Sequence, residues 1–282
     1  MASLATILRA GGLPLLEARI LAAHALQVPR VWTHAHENDD IDAQQQAAIE
    51  LLFARRRKGE PVAYLTGERE FYGLSLQVTP AVLIPRPETE LLVELALERL
   101  GEIPSEHPCV LDLGTGSGAI AIAIASVLAA NRPGATVSAC DASEAALAVA
   151  RANAARHGVP VRLLCSDWFA ALGDERFDVV VANPPYIAGQ DPHLEQGDLR
   201  FEPRSALVAD EGGLGCLRAI AETARAHLQT GGWLLMEHGY DQGEPCVQLL
   251  ERLGYAQVSD RRDLSGNPRV VQGRFDPAAA RR

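Results

Sequence analysis

Residues 110–118 read VLDLGTGSG, an apolar strand that runs straight into a glycine-rich turn. Glycine tolerates backbone angles that other residues avoid, and it has no Cβ to keep a ligand away from the main chain. The apolar residues that follow, up to about residue 130, predict a helix whose first N–H groups add hydrogen-bond donors. The stretch therefore predicts a strand–turn–helix unit with a ligand site at the turn.

Strand-like and helix-like segments alternate from residue 109 onward. The expected strands are 109–113, 136–140, 161–165, 178–182 and 233–237. The expected helices are 117–130, 143–157, 213–228 and 243–253. Alternation of this kind predicts a parallel sheet with helices on both faces, which is an architecture of the α/β class.

The residues before this region have a different pattern. Residues 1 to about 65 predict a small helical bundle without strands, in which Pro14 opens one helix and Asp42 caps another. Residues 71–84 alternate in polarity on either side of a break at Thr79-Pro80 and predict a β-hairpin. The expected parts are a helical domain at 1–68, a hairpin linker at 69–86, an α/β domain at 87–276 and a disordered tail at 277–282.

Acidic residues near the glycine-rich turn favour a particular ligand. Such a turn by itself also suits nicotinamide and flavin sites, but the spacing here is GxGxG, and Asp112 lies within the preceding strand. A negative charge there suits a ligand with a sulfonium or amine cation better than a pyrophosphate. Asp141, one βαβ unit downstream, can accept hydrogen bonds from two ribose hydroxyls. The alternative is that Asp141 caps the next helix, which Ser143 could also do.

Residues 166–169, SDWF, follow the third expected strand. Asp167 could accept from an adenine amino group, and Trp168 offers the ring a flat face, although a core position also suits Trp168. Because these residues follow strands, we expect them at the carboxyl edge of the sheet, where open α/β sheets bind ligands. A sulfonium, a ribose and an adenine together indicate S-adenosylmethionine.

Residues 183–186, NPPY, follow the buried strand that ends at Ala182. Two prolines fix φ and remove two N–H donors, which leaves a stiff loop of carbonyl acceptors. The Asn183 side-chain oxygen and the Pro184 carbonyl could each accept one N–H of a conjugated –NH2 group, which orients the nitrogen lone pair for attack. Tyr186 can stack on that planar group. In isolation NPPY would indicate only a strand-ending turn, but behind this cofactor pattern it predicts transfer of a methyl group to nitrogen.

Composition excludes several other classes of protein. The net charge of −10 argues against a non-specific nucleic-acid binder, and the basic run at 55–58 is interpreted as a solvated helix end. No HExxH or CxxC spacing indicates a metal site. We expect a cytoplasmic protein without a signal peptide, because the N-terminus lacks a basic stretch followed by a long apolar core. The longest apolar run, 119–130, is too short to span a bilayer.

Over nearly its whole length, to about Phe275, the chain resembles the release factor glutamine methyltransferases known as PrmC or HemK. The segments that carry the resemblance are YLTG at 64–67, FYG at 71–73, IPRPETE at 84–90, DLGTGSG at 112–118, SDWF at 166–169, NPPY at 183–186, EPRSAL at 202–207, and Glu237 with Gly239. The resemblance implies a class I, Rossmann-like, S-adenosylmethionine-dependent methyltransferase domain behind a helical substrate-recognition domain. It implies methylation of the side-chain amide nitrogen (N5) of the glutamine in the GGQ loop of peptide chain release factors.

The resemblance also implies roles for individual residues. The implied cofactor-binding residues are Gly114, Thr115, Gly116, Ser117, Gly118, Asp141, Trp168 and Asn183. The implied substrate-binding residues are Asn183, Pro184, Pro185 and Tyr186, of which Asn183, Pro184 and Tyr186 are the expected catalytic residues. The region of Arg86 and Glu88 is expected to border the cofactor pocket. The individual roles of Arg86, Glu88 and Asp167 stay open.

Three other functions stay open at this point. One is methylation of a glutamine in a ribosomal protein, which uses the same chemistry. Another is methylation of an exocyclic base amine in a nucleic acid, which requires base flipping and a cationic groove. The third is a regulatory protein that binds the cofactor without turnover. We expect a monomer with a protein partner, no bound metal, no membrane association and no direct nucleic-acid substrate.

Overall fold

The computed structural model describes residues 2–277 and divides into two compact units. The first contains the described residues up to Glu68 together with Pro192–Phe201. The second contains Arg69–Asp191 and the described residues from Glu202 onward. Nothing in the sequence analysis indicated that Pro192–Phe201 belongs with the N-terminal residues. Apart from Pro277, the predicted tail lies outside the described residues.

The first unit is helical, as the sequence predicts. Its elements are β1 (Ala2–Ser3), α1 (Leu4–Ala10), α2 (Leu15–Leu26), α3 (Trp32–Ala35), β2 (Asp40–Ile41), α4 (Ala43–Arg57) and α5 (Val62–Thr66). Asp42 caps α4 and forms a capping box with Gln45. The expectation of no strands is wrong, because β1 and β2 pair in antiparallel fashion. Two-residue strands are too short to leave a periodic pattern.

The basic run at the end of α4 is exposed at Arg55, Arg57 and Lys58, as the sequence suggested, but Arg56 is an exception. Arg56 bonds to Glu17 at 2.7 Å and to Asp198 at 2.9 Å, and its side chain is only 19% exposed. Hydrogen bonds and charge from these two carboxylates raise the pKa of Arg56. Within this unit, Arg56 therefore links α4 to α2 and to the segment Pro192–Phe201.

The second unit is an α/β domain preceded by a hairpin. Its strands are β3 (Glu68–Phe71), β4 (Leu74–Gln77), β5 (Cys109–Leu113), β6 (Thr136–Asp141), β7 (Arg162–Cys165), β8 (Phe177–Ala182), β9 (Ile187–Ala188), β10 (Val208–Ala209), β11 (Leu228–Glu237), β12 (Ala256–Arg262) and β13 (Pro268–Arg274). Its α-helices are α6 (Glu90–Glu102), α7 (Ala119–Asn131), α8 (Glu144–His157), α9 (Gly215–His227) and α10 (Gly243–Arg252). Short 3-10 turns occur in this unit at 87–89, 204–206 and 211–213, and two more at 192–195 and 197–201 belong to the first unit.

The main sheet has seven strands in the order β12-β13-β11-β8-β5-β6-β7. The five strands that the sequence predicts, β5 to β8 and β11, are parallel to one another. The antiparallel strands β13 and β12 extend one edge, and the sequence analysis missed both. The sequence of β12, AQVSDRR, is largely polar because this strand lies at the sheet edge, so it lacks the apolar run by which the other strands were found.

Helices cover both faces of this sheet. Val110 of β5 packs in a core with α6 and α7, whereas its neighbour Leu111 packs in a second core with α9 and α10. This alternation follows from the two-residue period of a strand. Among residues 2–277, no helix is both long enough and apolar enough to cross a membrane.

The predicted hairpin exists, but its turn lies elsewhere. β3 and β4 pair around Tyr72 and Gly73, whose φ angles are +51° and +75° respectively, and residues 82–84 form no strand. Two consecutive positive φ angles are typical of the tightest hairpin turns, so the turn fits here and not at Thr79-Pro80. The Tyr72 N–H donates to Glu90 Oε1 at 2.9 Å, which helps to hold this conformation.

Candidate active site

A pocket of about 430 Å³ opens where β5, β6, β7 and β8 end. Its volume lies within the range of small-molecule and cofactor sites. The predicted site residues that line it are Gly114, Thr115, Gly116, Ser117, Asp141, Trp168, Asn183 and Pro185. Three predicted site residues, Gly118, Pro184 and Tyr186, are not among the lining residues. The structure therefore brings together residues that are up to 71 positions apart in the sequence, as the parallel sheet requires.

The glycine-rich turn is held against the end of β6. The N–H groups of Gly114 and Thr115 both donate to the Cys140 carbonyl at 2.9 Å. Gly114, Gly116 and Gly118 have φ angles of +70°, +55° and +84°, which other residues rarely adopt. A Cβ on Gly118 would lie 2.8 Å from Ile122, so this glycine allows close packing below the pocket rather than access to it.

Asp141 lies at the pocket and organises the turn. Its Oδ2 accepts the Gly116 N–H at 2.9 Å, and its Oδ1 accepts the Ser143 N–H at 2.9 Å. Ser143 itself caps α8 through the Ala146 N–H, so the helix does not need Asp141 as its cap. Each carboxylate oxygen can accept more than one hydrogen bond, which leaves capacity for ligand hydroxyls.

Trp168 is both a core residue and a pocket residue. Its half-buried ring packs against the apolar core on one face of the sheet and also lines the pocket near Gly114. Its φ is +45°, and its carbonyl accepts the Ser166 hydroxyl at 2.8 Å. The neighbouring Asp167 is exposed and also lines the pocket.

Asp112 lies behind the pocket wall instead of facing a ligand directly. It is completely buried, and its Oδ2 accepts the Thr115 hydroxyl at 2.6 Å. Burial raises the pKa of Asp112 to about 7. Near neutral pH its negative charge is therefore only partly present, and Thr115 lies between it and the pocket.

The NPPY loop places only part of its length at the pocket. Asn183 lines the pocket, and its Nδ2 donates to the Thr89 hydroxyl oxygen at 3.2 Å. Pro184 is buried, whereas Pro185 reaches the pocket. The Tyr186 hydroxyl donates to Glu237 Oε1 at 3.3 Å, and burial raises the pKa of that hydroxyl.

Arg86 lines the pocket, as the sequence analysis expected, whereas the roles of Thr89 and Glu202 were missed. Thr89 also lines the pocket, and Arg86 forms an ion pair with Glu202, whose side chain is completely buried. Glu202 also accepts the Ile84 N–H at 3.2 Å. Arg86 and Glu202 are 116 positions apart in the chain, so no local sequence pattern indicates that they pair. Glu88 is exposed and is not among the lining residues.

No group of three or more His, Cys, Asp or Glu side chains in the part of the chain that the structure describes has an arrangement suited to a metal ion. The groups that line the pocket include backbone amides, carboxylates, hydroxyls, a guanidinium, an aromatic face and a carboxamide. These groups suit a ligand with hydroxyls and a planar ring, next to a group that presents N–H donors.

Family models and relatives match almost the whole chain. Residues 2–67 match the PrmC N-terminal domain, and residues 88–214 match the methyltransferase small domain. The release factor glutamine methyltransferase of Burkholderia pseudomallei (strain K96243) is 53% identical over 281 residues, which cover 97% of this chain and 96% of the relative. The enzyme of the same name from Bordetella pertussis is 51% identical over 97% of this chain and 99% of the relative. That of Escherichia coli (strain K12) is 46% identical, with 95% of each covered.

Solved structures share the fold of much of the chain at lower identity. A methyltransferase from Pyrococcus furiosus is 21% identical with a TM-score of 0.52, over 79% of this chain and 97% of that one. The T. thermophilus 16S rRNA N2 methyltransferase RsmC, in complex with AdoMet and guanosine, is 24% identical with a TM-score of 0.52. It aligns with 73% of this chain, and 49% of its own length is covered.

Proposed function

The chain belongs to the release factor glutamine methyltransferase family, and we propose that it methylates the side-chain amide nitrogen (N5) of the glutamine in the GGQ motif of peptide chain release factors. The methyl donor is S-adenosylmethionine, and the product is S-adenosylhomocysteine. The observation that carries the proposal is the position of the Asn183 carboxamide, which lines the pocket with its nitrogen already bonded to Thr89. Its oxygen is then available to accept a hydrogen bond from a substrate amide.

The residues at the pocket suit this cofactor. Gly116 has open space where a Cβ would lie, so a ligand can approach the turn closely. Asp141 supplies acceptors for ribose hydroxyls, and Trp168 supplies a flat face for the adenine ring. When bound, the cofactor supplies an electrophilic methyl group on a sulfonium. Of the predicted cofactor residues, Gly114–Ser117, Asp141, Trp168 and Asn183 stay our assignment for this role. Gly118 is assigned to support the turn, because it packs against Ile122 and does not line the pocket.

The NPPY loop is assigned to the substrate. An amide nitrogen is a poor nucleophile because its lone pair is delocalised into the carbonyl group. In our proposal the Asn183 Oδ1 and the Pro184 carbonyl each accept one N–H of the substrate glutamine, which orients the lone pair toward the methyl carbon. The two acceptors would also stabilise the positive charge that develops on nitrogen as the N–C bond forms and the S–C bond of the donor breaks. One of the two N–H protons would then pass to solvent water, which leaves the neutral N-methyl amide. Pro185 and Tyr186 shape the loop around that amide.

The other parts of the proposal concern the partner and the setting. Residues 1–68 are proposed to recognise the folded release factor, because residues 2–67 match the PrmC N-terminal domain and the pocket lies in the second unit. The protein is proposed to act in the cytoplasm, where release factors work. It is proposed to act as a monomer, since one chain supplies residues to all the pocket walls described above.

Mass spectrometry of purified release factor, after incubation with this chain and S-adenosylmethionine, tests the proposal. We expect one added methyl group on the peptide that contains GGQ, and none when that glutamine is replaced by alanine. Methylation of a ribosomal-protein glutamine instead, or of a base amine in RNA or DNA, would replace this function with one of the alternatives. Cofactor binding without transfer to any of these substrates would indicate a regulatory protein.

A further inference from the structure

We propose that Asn153, an asparagine of α8, is a positioning residue that bonds two segments of the cofactor pocket to each other and thereby sets the affinity for S-adenosylmethionine. The inference rests on the proposed function, because it takes this pocket to be the cofactor site. Asn153 is not among the lining residues of the pocket. Its effect on binding passes through the backbone of the two segments that it bonds.

The carboxamide of Asn153 makes three hydrogen bonds in the interior of the second unit. Asn153 is completely buried. Its Oδ1 accepts the Gln77 N–H at 2.7 Å, and its Nδ2 donates to the carbonyls of Gln77 and Ser117, both at 2.9 Å. A carboxamide nitrogen has two hydrogens, so these bonds use both of them and fix the orientation of the group. One side chain therefore bonds to β4 and to the glycine-rich turn at once.

The bond to Ser117 fixes the peptide unit at the end of the glycine-rich turn. Ser117 lines the pocket, and its carbonyl belongs to the same peptide unit as the Gly118 N–H. That N–H donates to the Thr115 carbonyl at 2.8 Å, so both polar groups of the unit are bonded. The start of the turn is bonded to the Cys140 carbonyl of β6. Helix α8 thus supports the end of the turn as β6 supports its beginning.

The bonds to Gln77 fix the start of another pocket segment. Gln77 is the last residue of β4, and the chain that follows it contributes lining residues between Ala81 and Thr89. Residues 78–86 form no helix or strand, so their position depends on side-chain packing and on how their ends are held. Asn153 holds the first of these ends through both the N–H and the carbonyl of Gln77.

These bonds matter for binding because a pocket that is already ordered loses less conformational entropy when a ligand binds. Without the Asn153 carboxamide, the Ser117 carbonyl and both polar groups of Gln77 lose a buried partner, and the turn has to be ordered when the ligand binds. We expect Asn153→Ala to raise the Kd for S-adenosylmethionine roughly 10-fold or more, which corresponds to the loss of one or two hydrogen bonds. The KM for S-adenosylmethionine should rise with the Kd. The kcat at saturating S-adenosylmethionine and the KM for the release factor should change little, because the NPPY loop follows β8 and makes no bond to Asn153.

His157→Ala is the matched control. His157 lies one helical turn further along α8, and its Nε2 donates to the Ser75 carbonyl of β4 at 2.9 Å. Both variants remove a bond between α8 and β4, but only Asn153→Ala also removes the bond to Ser117. We expect both variants to lower the midpoint of thermal unfolding and only Asn153→Ala to raise the Kd, measured by isothermal titration calorimetry on the folded full-length chain.

The outcomes of this titration separate the inference from the proposed function. An unchanged Kd in folded Asn153→Ala, or an equal rise in His157→Ala, would overturn the positioning role and leave the proposed function intact. A wild-type protein that does not bind S-adenosylmethionine would instead overturn the proposed function.

Hydrogen exchange of the wild-type protein, followed by NMR, tests the same link without any variant. Coupling between two sites is reciprocal, so a ligand that orders the turn should also protect the Gln77 N–H that Asn153 accepts. S-adenosylhomocysteine should slow the exchange of this N–H roughly fivefold or more. The control is the Cys109 N–H, which donates to Asp178 Oδ2 at 2.8 Å at the end of β5 away from the turn and should slow less. Equal slowing at Gln77 and Cys109, or none at Gln77, would overturn the inference even if Asn153→Ala does not fold.

Discussion

Replacing Asp141 by asparagine tests the cofactor site most directly, because the change is small and its effect follows from two observed hydrogen bonds. Both carboxylate oxygens already accept a backbone N–H, one from Gly116 and one from Ser143. An asparagine has one oxygen and one –NH2 group, so whichever way it turns, its –NH2 faces a backbone donor. The variant therefore loses one of these bonds and one acceptor for the ribose.

The magnitude can be worked out from these bonds. A hydrogen bond to a charged group contributes about 1.5–3 kcal/mol. If the whole loss weakens the complex with S-adenosylmethionine and leaves the free protein unchanged, the Kd rises roughly 10- to 150-fold. This follows because about 1.4 kcal/mol of binding free energy corresponds to a factor of ten in Kd. Isothermal titration calorimetry with S-adenosylmethionine or S-adenosylhomocysteine measures this change.

Asp178→Asn is the matched control for this experiment. Asp178 Oδ2 accepts the Cys109 N–H at 2.8 Å, a bond of the same kind, at the start of β8 instead of the end of the strands where the pocket lies. We expect Asp178→Asn to lower thermal stability without changing the Kd. An unchanged Kd for Asp141→Asn in a folded protein would refute the assignment of Asp141 to the cofactor.

Three further predictions concern the substrate loop, the packing of the glycine-rich turn and the helical unit. Asn183→Ala should lower kcat about 100-fold or more while the Kd for the cofactor changes little; an equal loss in both would mean that Asn183 serves the cofactor instead. Gly118→Ala should lower the midpoint of thermal unfolding more than Gly116→Ala, because only the Gly118 Cβ would press on Ile122. Gly116→Ala should mainly weaken cofactor binding. A larger drop in the calorimetric midpoint for Gly116→Ala than for Gly118→Ala would contradict this. Arg56→Ala should lower the free energy of unfolding by about 1–3 kcal/mol in urea titrations because it breaks two partly buried ion pairs. The exposed pair of Arg162 and Glu175 is the control, where Arg162→Ala should cost under about 1 kcal/mol.

Much of the α/β domain was predictable because its signals are local. The five parallel strands are mostly apolar runs, and a helix lies between each successive pair except β7 and β8. β5 leads directly into three glycines with positive φ. The N-cap of α4 was also predictable, because Asp42 bonds to N–H groups only two and three residues away. The hairpin shows the limit of this reasoning: alternation predicted two strands, but the position of the turn depended on which residues accept positive φ.

The candidate site also has features that the sequence predicts and features that it does not. The turn, Asp141, Trp168 and NPPY were recognisable because each is a short motif that follows a strand, and parallel strands bring their carboxyl ends to one edge. Which of those residues reach the pocket was not recognisable. Gly118 packs against Ile122 and Tyr186 bonds to Glu237, so neither is among the lining residues.

The order of the five parallel strands and of the helices in the α/β domain, and the class of cofactor, could be read from the sequence because they depend on periodicity and on motifs a few residues long. The partners of the buried charges, such as Glu202 with Arg86 and Glu237 with Tyr186, could be known only from the folded chain. A buried carboxyl requires a donor within hydrogen-bond distance, but it has no preference for where along the chain that donor comes from. The choice is made only when the strands and loops are packed together.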